Sequence, residues 1–511
     1  MEGLTDHQQI AEKFQAHFAK LSSAAGLDAG NMHSNYESKR LNYVGFPYLQ
    51  EHKFDAELVE NIIVNLTRGK AAGLDGLTAE HLIHCHELLP CVLSKLFNLM
   101  MLYGYVPNDF GLSYTVPIQK GDKSCSKSLT VDDFRGISIS AVLSKVFELC
   151  VLDRFDNYFV TSDNQFGFKK STGCSHAIYT ARSVIDKYVA GGSTVNLCAL
   201  DISKAFDRMN HKGLFVKLME RNVPNCLLLL IENWFSKCWT CIRWFSVMSP
   251  YFKLEIGIRQ GGIWSPKFFA LYIDSVVKKV NEQKIGCYMH YLCVSVILYA
   301  DDILILAPTV DCLLKLFIIC ETELNALGMS INEKKTVCLR VGPDYQAVCA
   351  NLVTRNGKKL EWVSEVRYLG VYIVSSFKFK CCFDNGKKSY FRSFNAIYGR
   401  VGTAASEETV LHLIKSQCIP ALTYGLDVCP LIVSDRNSIE FTVTRTLMKV
   451  FRTYSKDIID ECRSYFCFPT VQQLVKDRKI AFLRKYVSHS NMLCKMCSDA
   501  AVAELNELSL V

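Results

Sequence analysis

The segment Tyr299-Ala300-Asp301-Asp302 sets two adjacent carboxylates between Val294, Val296, Ile297 and Leu298 on one side and Ile303, Leu304, Ile305 and Leu306 on the other. Two neighbouring anions in such surroundings repel each other and resist desolvation, so they require a cationic partner. Apolar runs this short, broken by a polar pair, predict strand, tight turn, strand. Side chains adjacent on one strand point to opposite faces, and a turn at the pair lifts that constraint. Two acids at a hairpin tip suit a divalent metal. A third, Asp201, follows the apolar run Val195 to Leu200 and opens the stretch Asp201-Ile202-Ser203-Lys204-Ala205-Phe206-Asp207. Mg²⁺ is usually held by one or two carboxylates together with waters and substrate phosphates. Two such ions about 4 Å apart stabilise both oxygens of a phosphoryl displacement. Taken singly, each aspartate reads equally as a helix cap, an ion-pair partner or a polar turn.

The elements that must position these acids follow from periodicity and from glycine and proline punctuation. Ile10, Phe14, Phe18 and Leu21 predict an amphipathic helix, and Asn31 to Asn42 reads as loop. Glu57 to Leu66 is helical and runs into the glycine-punctuated loop Arg68 to Gly76, ahead of a helix beginning near Thr78. Thr115 to Gln119 reads as a strand, followed by a basic loop from Lys120 to Lys127. Helical spacing covers Ile139 to Phe155, Lys212 to Trp234, Lys267 to Val280, and Cys312 to Leu327, the last stopped by Gly328. Thr194 to Leu200 and Tyr368 to Val374 read as strands, and helical patterns dominate beyond. Strands and helices mix without strict alternation, which predicts an α+β core.

A chain of 511 residues, half of them apolar, is long enough for two or three domains. The formal charge of +8 is modest, but Ser376 to Lys485 holds 18 Lys and Arg against 10 Asp and Glu. That stretch carries the whole surplus and marks a basic C-terminal region. Its cations alternate with rings, as in Phe377-Lys378-Phe379-Lys380 and Lys387-Lys388-Ser389-Tyr390-Phe391-Arg392. Such a pattern suits phosphates and unpaired bases, and equally a helical domain with a solvated basic face. The 23 cysteines show no framework spacing. With no apolar secretory core at the start and no run of about 18 uncharged apolar residues, the expectation is reduced thiols in the cytosol or nucleus and no membrane span. Cys462, Cys467, His489, Cys494 and Cys497 do not form a complete zinc-knuckle pattern.

Further segments fall into an ordered series. Leu74 to Leu82, Val116 to Asp122, Asp133 to Ser138, and Gln165-Phe166-Gly167-Phe168 precede Asp201 to Asp207. Gly257-Ile258-Arg259-Gln260-Gly261-Gly262, Tyr299 to Asp302, Gly328 to Thr336, and Tyr368-Leu369-Gly370 follow. In this order the chain resembles a reverse transcriptase of the non-LTR (LINE-type) retrotransposon family, from about residue 57 to residue 373.

The resemblance implies a right-hand polymerase with an antiparallel palm sheet backed by helices. It places an N-terminal helical connector at 1–56, fingers at 57–192, a palm at 193–345, and a thumb with a basic helical region at 346–511. The reverse transcriptase domain as a whole would run from about 109 to 373. By the same likeness Asp201, Asp301 and Asp302, with the carbonyl of Ile202, hold two Mg²⁺ ions for nucleotidyl transfer. Lys120 and Arg135 meet the triphosphate, where Arg grips with two parallel hydrogen bonds and Lys acts as a point charge. Lys123 and Lys127 read as solvated charges. Phe206 stands where an aromatic clashes with a 2′-hydroxyl and so selects deoxynucleotides, although on position alone it also reads as core. Gln260 and Gly261 bring backbone close to the nascent base pair, and Lys335 matches a lysine proposed to protonate the leaving pyrophosphate. The implied partners are an RNA template, a DNA primer and dNTPs.

Two departures qualify the likeness. The family usually continues the glycine motif with Leu-Ser-Pro, whereas this chain has Trp264-Ser265-Pro266, a larger ring ahead of the next helix. The polymerase-like region begins too early for the endonuclease that full-length relatives carry, so a truncated element product is expected. One rival is an RNA-making templated polymerase, against which Phe206 and Ala300-Asp301-Asp302 argue. The other is a catalytically impaired remnant that acts only by binding RNA.

Overall fold

The strand Val195–Asp201 is the middle of a five-stranded sheet. Its neighbours are Asp302–Ala307 on one side and Val337–Val341 on the other, both antiparallel. Val296–Tyr299 and Glu361–Trp362 complete the sheet at its edges, the latter parallel to Val337–Val341. Residues 195–198 and 303–307 are buried without interruption. A sheet covered on both faces has no polar side, which is why these strands read as continuous apolar runs. Ala177, Ile178, Ala181 and Val184 of the helix Cys174–Ala190 share a core with Leu197, Ile297, Leu304 and Leu306.

The computed structural model describes residues 4–23, 29–121, 129–402 and 404–510. The predicted basic loop, with Lys123 and Lys127, lies outside the described residues from position 122 onward. The chain divides into two compact units. One comprises Met1–Ser162, Ile202–Val276 and Thr322–Ser330; the other comprises Asp163–Asp201, Val277–Glu321 and Ile331–Val511 and contains the sheet just described.

In the second unit the predicted strand Tyr368–Val374 is two strands, Glu365–Tyr368 and Val371–Val374, paired antiparallel and extended by Lys380–Cys382. The break falls at Leu369 and Gly370, with φ of +46° and +85°. Two successive left-handed residues match the twist of a two-residue hairpin, and such a turn leaves no polar gap in the sequence. Beyond it the unit is helical, as expected. Asp384–Val401 and Val433–Val450 share a core of Tyr390, Phe394, Ile439, Val443 and Leu447.

The first unit is built on a second sheet, in the order Phe134–Ser140, Leu112–Gln119, Trp239–Trp244, Val247–Met248, with Phe252–Lys253 also paired to Trp239–Trp244. The helix His7–Leu21 lays Ile10 and Phe14 against Phe134, Ile242 and Phe252. Three expectations need correction here. The segment read as loop from Asn31 is a helix, Ala29–Leu41. It lacks an apolar stripe because polar groups anchor it: Arg40 and the Tyr36 hydroxyl both donate to Glu232, and Lys39 pairs with Glu220. Ile139 and Ser140 close a strand, and the helix after them is Val142–Arg154. The span Lys212 to Trp234 is two helices, His211–Met219 and Asn225–Ser236, separated by left-handed Asn222 and by Pro224. Among the described residues no helix is long and apolar enough to cross a membrane, and every cysteine is free.

Candidate active site

The acid hairpin is built from pairing alone. Val296–Tyr299 and Asp302–Ala307 pair antiparallel with Tyr299 opposite Asp302, leaving Ala300 and Asp301 as a two-residue turn. Across the other ladder Asp302 stands directly opposite Asp201. Opposed residues on antiparallel strands have Cβ atoms about 4.5–5.5 Å apart. Asp201 and the adjacent pair Asp301 and Asp302, a hundred residues further along the sequence, therefore meet at one end of one sheet.

Electrostatics records the meeting. Crowding by surrounding protein, then the charges of Asp301 and Asp201, push the Asp302 carboxyl up to about 6, while Arg367 and Lys335 pull it down. Asp302 is nonetheless exposed, so water screens part of this interaction. Asp201 is held at its backbone: its carbonyl accepts from the Asn332 N–H at 2.8 Å, and its own N–H reaches the Thr336 hydroxyl at 3.3 Å. Lys335 lies 3.6 Å from the Asp201 carboxylate. Ile202 buries its side chain.

The donor set fits a hard divalent ion. Burial and the two neighbouring carboxylates raise Asp302 despite two nearby cations, and a metal ion would relieve that excess of negative charge. Among the described residues no three His, Cys, Asp or Glu side chains close into a ready-made cage. Mg²⁺ usually keeps waters and phosphates among its ligands, so an open edge of carboxylates suffices.

Asp301 and Asp302 open onto a cleft of about 700 Å³, also lined by Arg367, Leu369, Gly370 and Ser389. Arg367 was not singled out from the sequence, although it immediately precedes the Tyr368-Leu369-Gly370 motif. Tyr368 is buried, and burial followed by the Asp302 charge raises its phenol well above the usual range.

In the first unit, the predicted nucleotide contacts share one neighbourhood. Arg135 pairs in register with Ile118, two residues before Lys120. The Lys120 N–H donates to the Asp133 carbonyl at 2.8 Å and its ammonium to the Asp132 carbonyl at 2.9 Å. Partial burial and then Arg135 and Lys204 lower the Lys120 pKa, the mark of cations set close together. Lys204, another residue the sequence did not single out, lies 3.0 Å from the Asp132 carboxylate. Asp207 is raised by burial, against the pull of Lys204, Gln260 and Lys120. Phe206 is half-buried rather than core, stacked on Phe269 at 4.5 Å between ring centres. Gln260 accepts the Ser138 N–H at its carbonyl (2.7 Å) and reaches Asp207 at 3.5 Å. Gly261 has φ +120°, and a Cβ there would lie 2.5 Å from the Ser138 carbonyl oxygen, so only glycine fits.

Trp264 is accommodated without crowding. It is 3% exposed, its ring packs among Trp234, Phe147 and Phe268, and its indole N–H donates to the Glu148 carbonyl at 2.8 Å. Its backbone N–H donates to the buried Glu148 carboxylate at 2.9 Å. A buried Trp with its donor satisfied is a stable core residue.

Comparison with known proteins identifies the family. The family described as "Reverse transcriptase (RNA-dependent DNA polymerase)" matches residues 118–373. The chain is 22% identical over 316 residues to the "Retrovirus-related Pol polyprotein from type-2 retrotransposable element R2DM" of Drosophila melanogaster, covering 60% of this chain and 29% of that protein. It is 23% identical over 478 residues to the "RNA-directed DNA polymerase from mobile element jockey" of the same organism, covering 87% of this chain and 49% of that one. The chain thus spans between about a quarter and a half of the length of these relatives. Among solved structures, an apo telomerase from Candida tropicalis truncated from its C-terminal domain aligns over 57% of this chain and 60% of that one, at 14% identity and a TM-score of 0.37. Members of the matched family generally use divalent metal ions. With half of its length matched, and with the acids of that half gathered at one sheet end, the chain belongs to the reverse transcriptase family, and its relatives come from non-LTR retrotransposable elements.

Proposed function

We propose that the chain is an RNA-directed DNA polymerase that extends a primer with dNTPs on an RNA template. The observation that carries this reading is the register of the acid sheet, with Asp302 opposite Asp201 and Asp301 at the adjoining turn. In this reading Asp201, Asp301, Asp302 and the Ile202 carbonyl hold two Mg²⁺ ions. Such ions, when bound, lower the pKa of the primer 3′-hydroxyl and neutralise charge on the triphosphate.

The chain's own groups do the rest. Lys120 and Arg135, already repelling one another, take the triphosphate, whose charge relieves that repulsion. The exposed edge of Phe206, braced by Phe269, meets the sugar and excludes a 2′-hydroxyl. Gln260 and Gly261, fixed to the strand that carries Arg135, present backbone to the nascent pair. Lys335, next to Asp201, donates a proton to the departing pyrophosphate. Residues 57–192 serve as fingers and 193–345 as palm, and the basic helices of 346–511 track the template–primer duplex through its backbone. The free thiols among the described residues suit a reducing compartment, the cytosol or nucleus.

The test is extension of an annealed primer on RNA with Mg²⁺, offering dNTPs or rNTPs, by wild type, Asp301→Asn and Phe206→Ala. Wild type is expected to extend with dNTPs and Asp301→Asn to stall. Phe206→Ala is expected to admit rNTPs about tenfold better, the scale of one lost steric exclusion. Extension by Asp301→Asn at the wild-type rate would remove the assignment. A chain that binds RNA without extending any primer would be the impaired remnant instead.

A further inference from the structure

The motif Gln165-Phe166-Gly167-Phe168 has no part in the reading above, yet it lies against the acid hairpin within the same unit. Phe166 N–H donates to the Leu298 carbonyl and Leu298 N–H to the Asn164 carbonyl, each at 2.8 Å, so the segment runs parallel to the hairpin's first strand. Asn164 adds a side-chain donation to the Val296 carbonyl at 2.8 Å. Gln165 is wholly buried, and its Oε1 accepts two backbone N–H groups, from Gly167 at 2.9 Å and from Ala300 at 3.1 Å. Among the described residues its Nε2 finds no partner, so the acceptor end holds the side chain. Gly167 leaves no clearance: a Cβ there would lie 2.4 Å from the Ala300 nitrogen.

The residue so gripped is unusual. Ala300 has φ +57°, a left-handed backbone that residues with a Cβ seldom adopt, and it directly precedes the two acids. A two-residue hairpin ordinarily places glycine, asparagine or aspartate there. Here the conformation is imposed from outside, by an acceptor for the Ala300 N–H and a wall behind it.

We infer that Gln165 is a positioning residue for the metal-binding carboxylates: with Gly167 it locks Ala300 in the left-handed turn that sets Asp301 beside Asp302. This rests on the metal-dependent reading proposed above. Without the Gln165 acceptor, Ala300 relaxes towards negative φ, its peptide plane turns, and Asp301 leaves its place although the sheet stays paired.

Two readouts test it. One is the Mg²⁺ concentration for half-maximal extension. The other, independent of turnover, is Mn²⁺ binding followed by electron paramagnetic resonance on the complex with RNA template and a dideoxy-terminated primer. Gln165→Leu is expected to raise the first and weaken the second about tenfold, as for residues that orient a metal ligand from behind. Adding Ala300→Gly to Gln165→Leu should restore most of both, because glycine takes the left-handed turn unaided. Should Gln165→Leu not fold, Gln165→Asn, one methylene shorter, withdraws the same oxygen and is read the same way. Unchanged metal dependence, or a loss that Ala300→Gly does not repair, overturns the inference. If instead Asp301→Asn binds Mn²⁺ and extends like wild type, the proposed function fails, and the two failures are told apart.

Discussion

Two hairpins in the second unit each turn on two residues, and they meet the same steric demand by opposite means. The acid turn passes through Ala300 at φ +57° and then Asp301. The other passes through Leu369 at +46° and Gly370 at +85°. Left-handed backbone costs a residue with a Cβ about 1–2 kcal/mol, so each turn needs support. The second supplies part of its own, since glycine accepts the conformation, and the Tyr424 hydroxyl donates to the Leu369 carbonyl at 2.9 Å. The acid turn has no glycine and relies on Gln165. The difference is that between a turn that prefers its shape and a turn held in it. The held one carries the carboxylates proposed to bind metal, a role that would demand a set geometry more than it demands stability.

That contrast predicts opposite phenotypes. The largest effect belongs to Asp301→Asn, which should slow primer extension about a thousandfold, since a lost metal ligand removes several kcal/mol of charge stabilisation. Its thermal midpoint should not fall. Similar losses of stability and activity would erase the distinction between the turns. Gly370→Ala should do the reverse and remove about 1–2 kcal/mol from the unfolding free energy. Its Cβ would lie 2.7 Å from a Tyr424 ring carbon at a positive φ. A denaturant melt with an unmoved midpoint would show that this turn does not need its glycine.

Tyr424→Phe deletes one donor to the Leu369 carbonyl and should cost about 1 kcal/mol in the same melt. A loss as large as that of Gly370→Ala would mean that the tyrosine, rather than the glycine, holds the turn.

The smallest effect is the pH dependence of the acid turn in metal-free protein. Asp302 titrates near 6 when folded, against about 4 for an unperturbed aspartate. As pH falls through 6 the folded state takes up a proton that the unfolded state does not, so this group's contribution to stability grows on acidification and is lost as pH rises through 6. Asp302→Asn should abolish that slope and raise the midpoint at pH 7 in EDTA. Thermal scans at pH 5 and pH 7 that show the same slope in both proteins would refute the assignment.

How legible these features were depended on local contrast. The acid hairpin could be read because two carboxylates interrupt an otherwise apolar run. Leu369-Gly370 could not, because a two-residue turn of apolar composition leaves that run unbroken. The helix Ala29–Leu41 hid for another reason: its partner Glu232 lies 196 residues from Tyr36, and no short-range pattern reports such an anchor. The split before Pro224 has a local signal in Asn222-Val223-Pro224, a breaker masked by strong apolar periodicity on either side. Trp264 departs from the Leu-Ser-Pro that the resemblance implies, and only long-range contacts, the Glu148 carbonyl and a surrounding ring cluster, give it a place.

The sequence alone determined which residues are acids, their order, and their position at the ends of apolar strands, because composition and short-range spacing dictate strand and turn. Only the tertiary structure decided that Asp302 lies opposite Asp201 and that Gln165 reaches the Ala300 N–H. Register between strands a hundred residues apart is set by long-range pairing. In a sheet buried on both faces, the alternation that would have announced that register is absent.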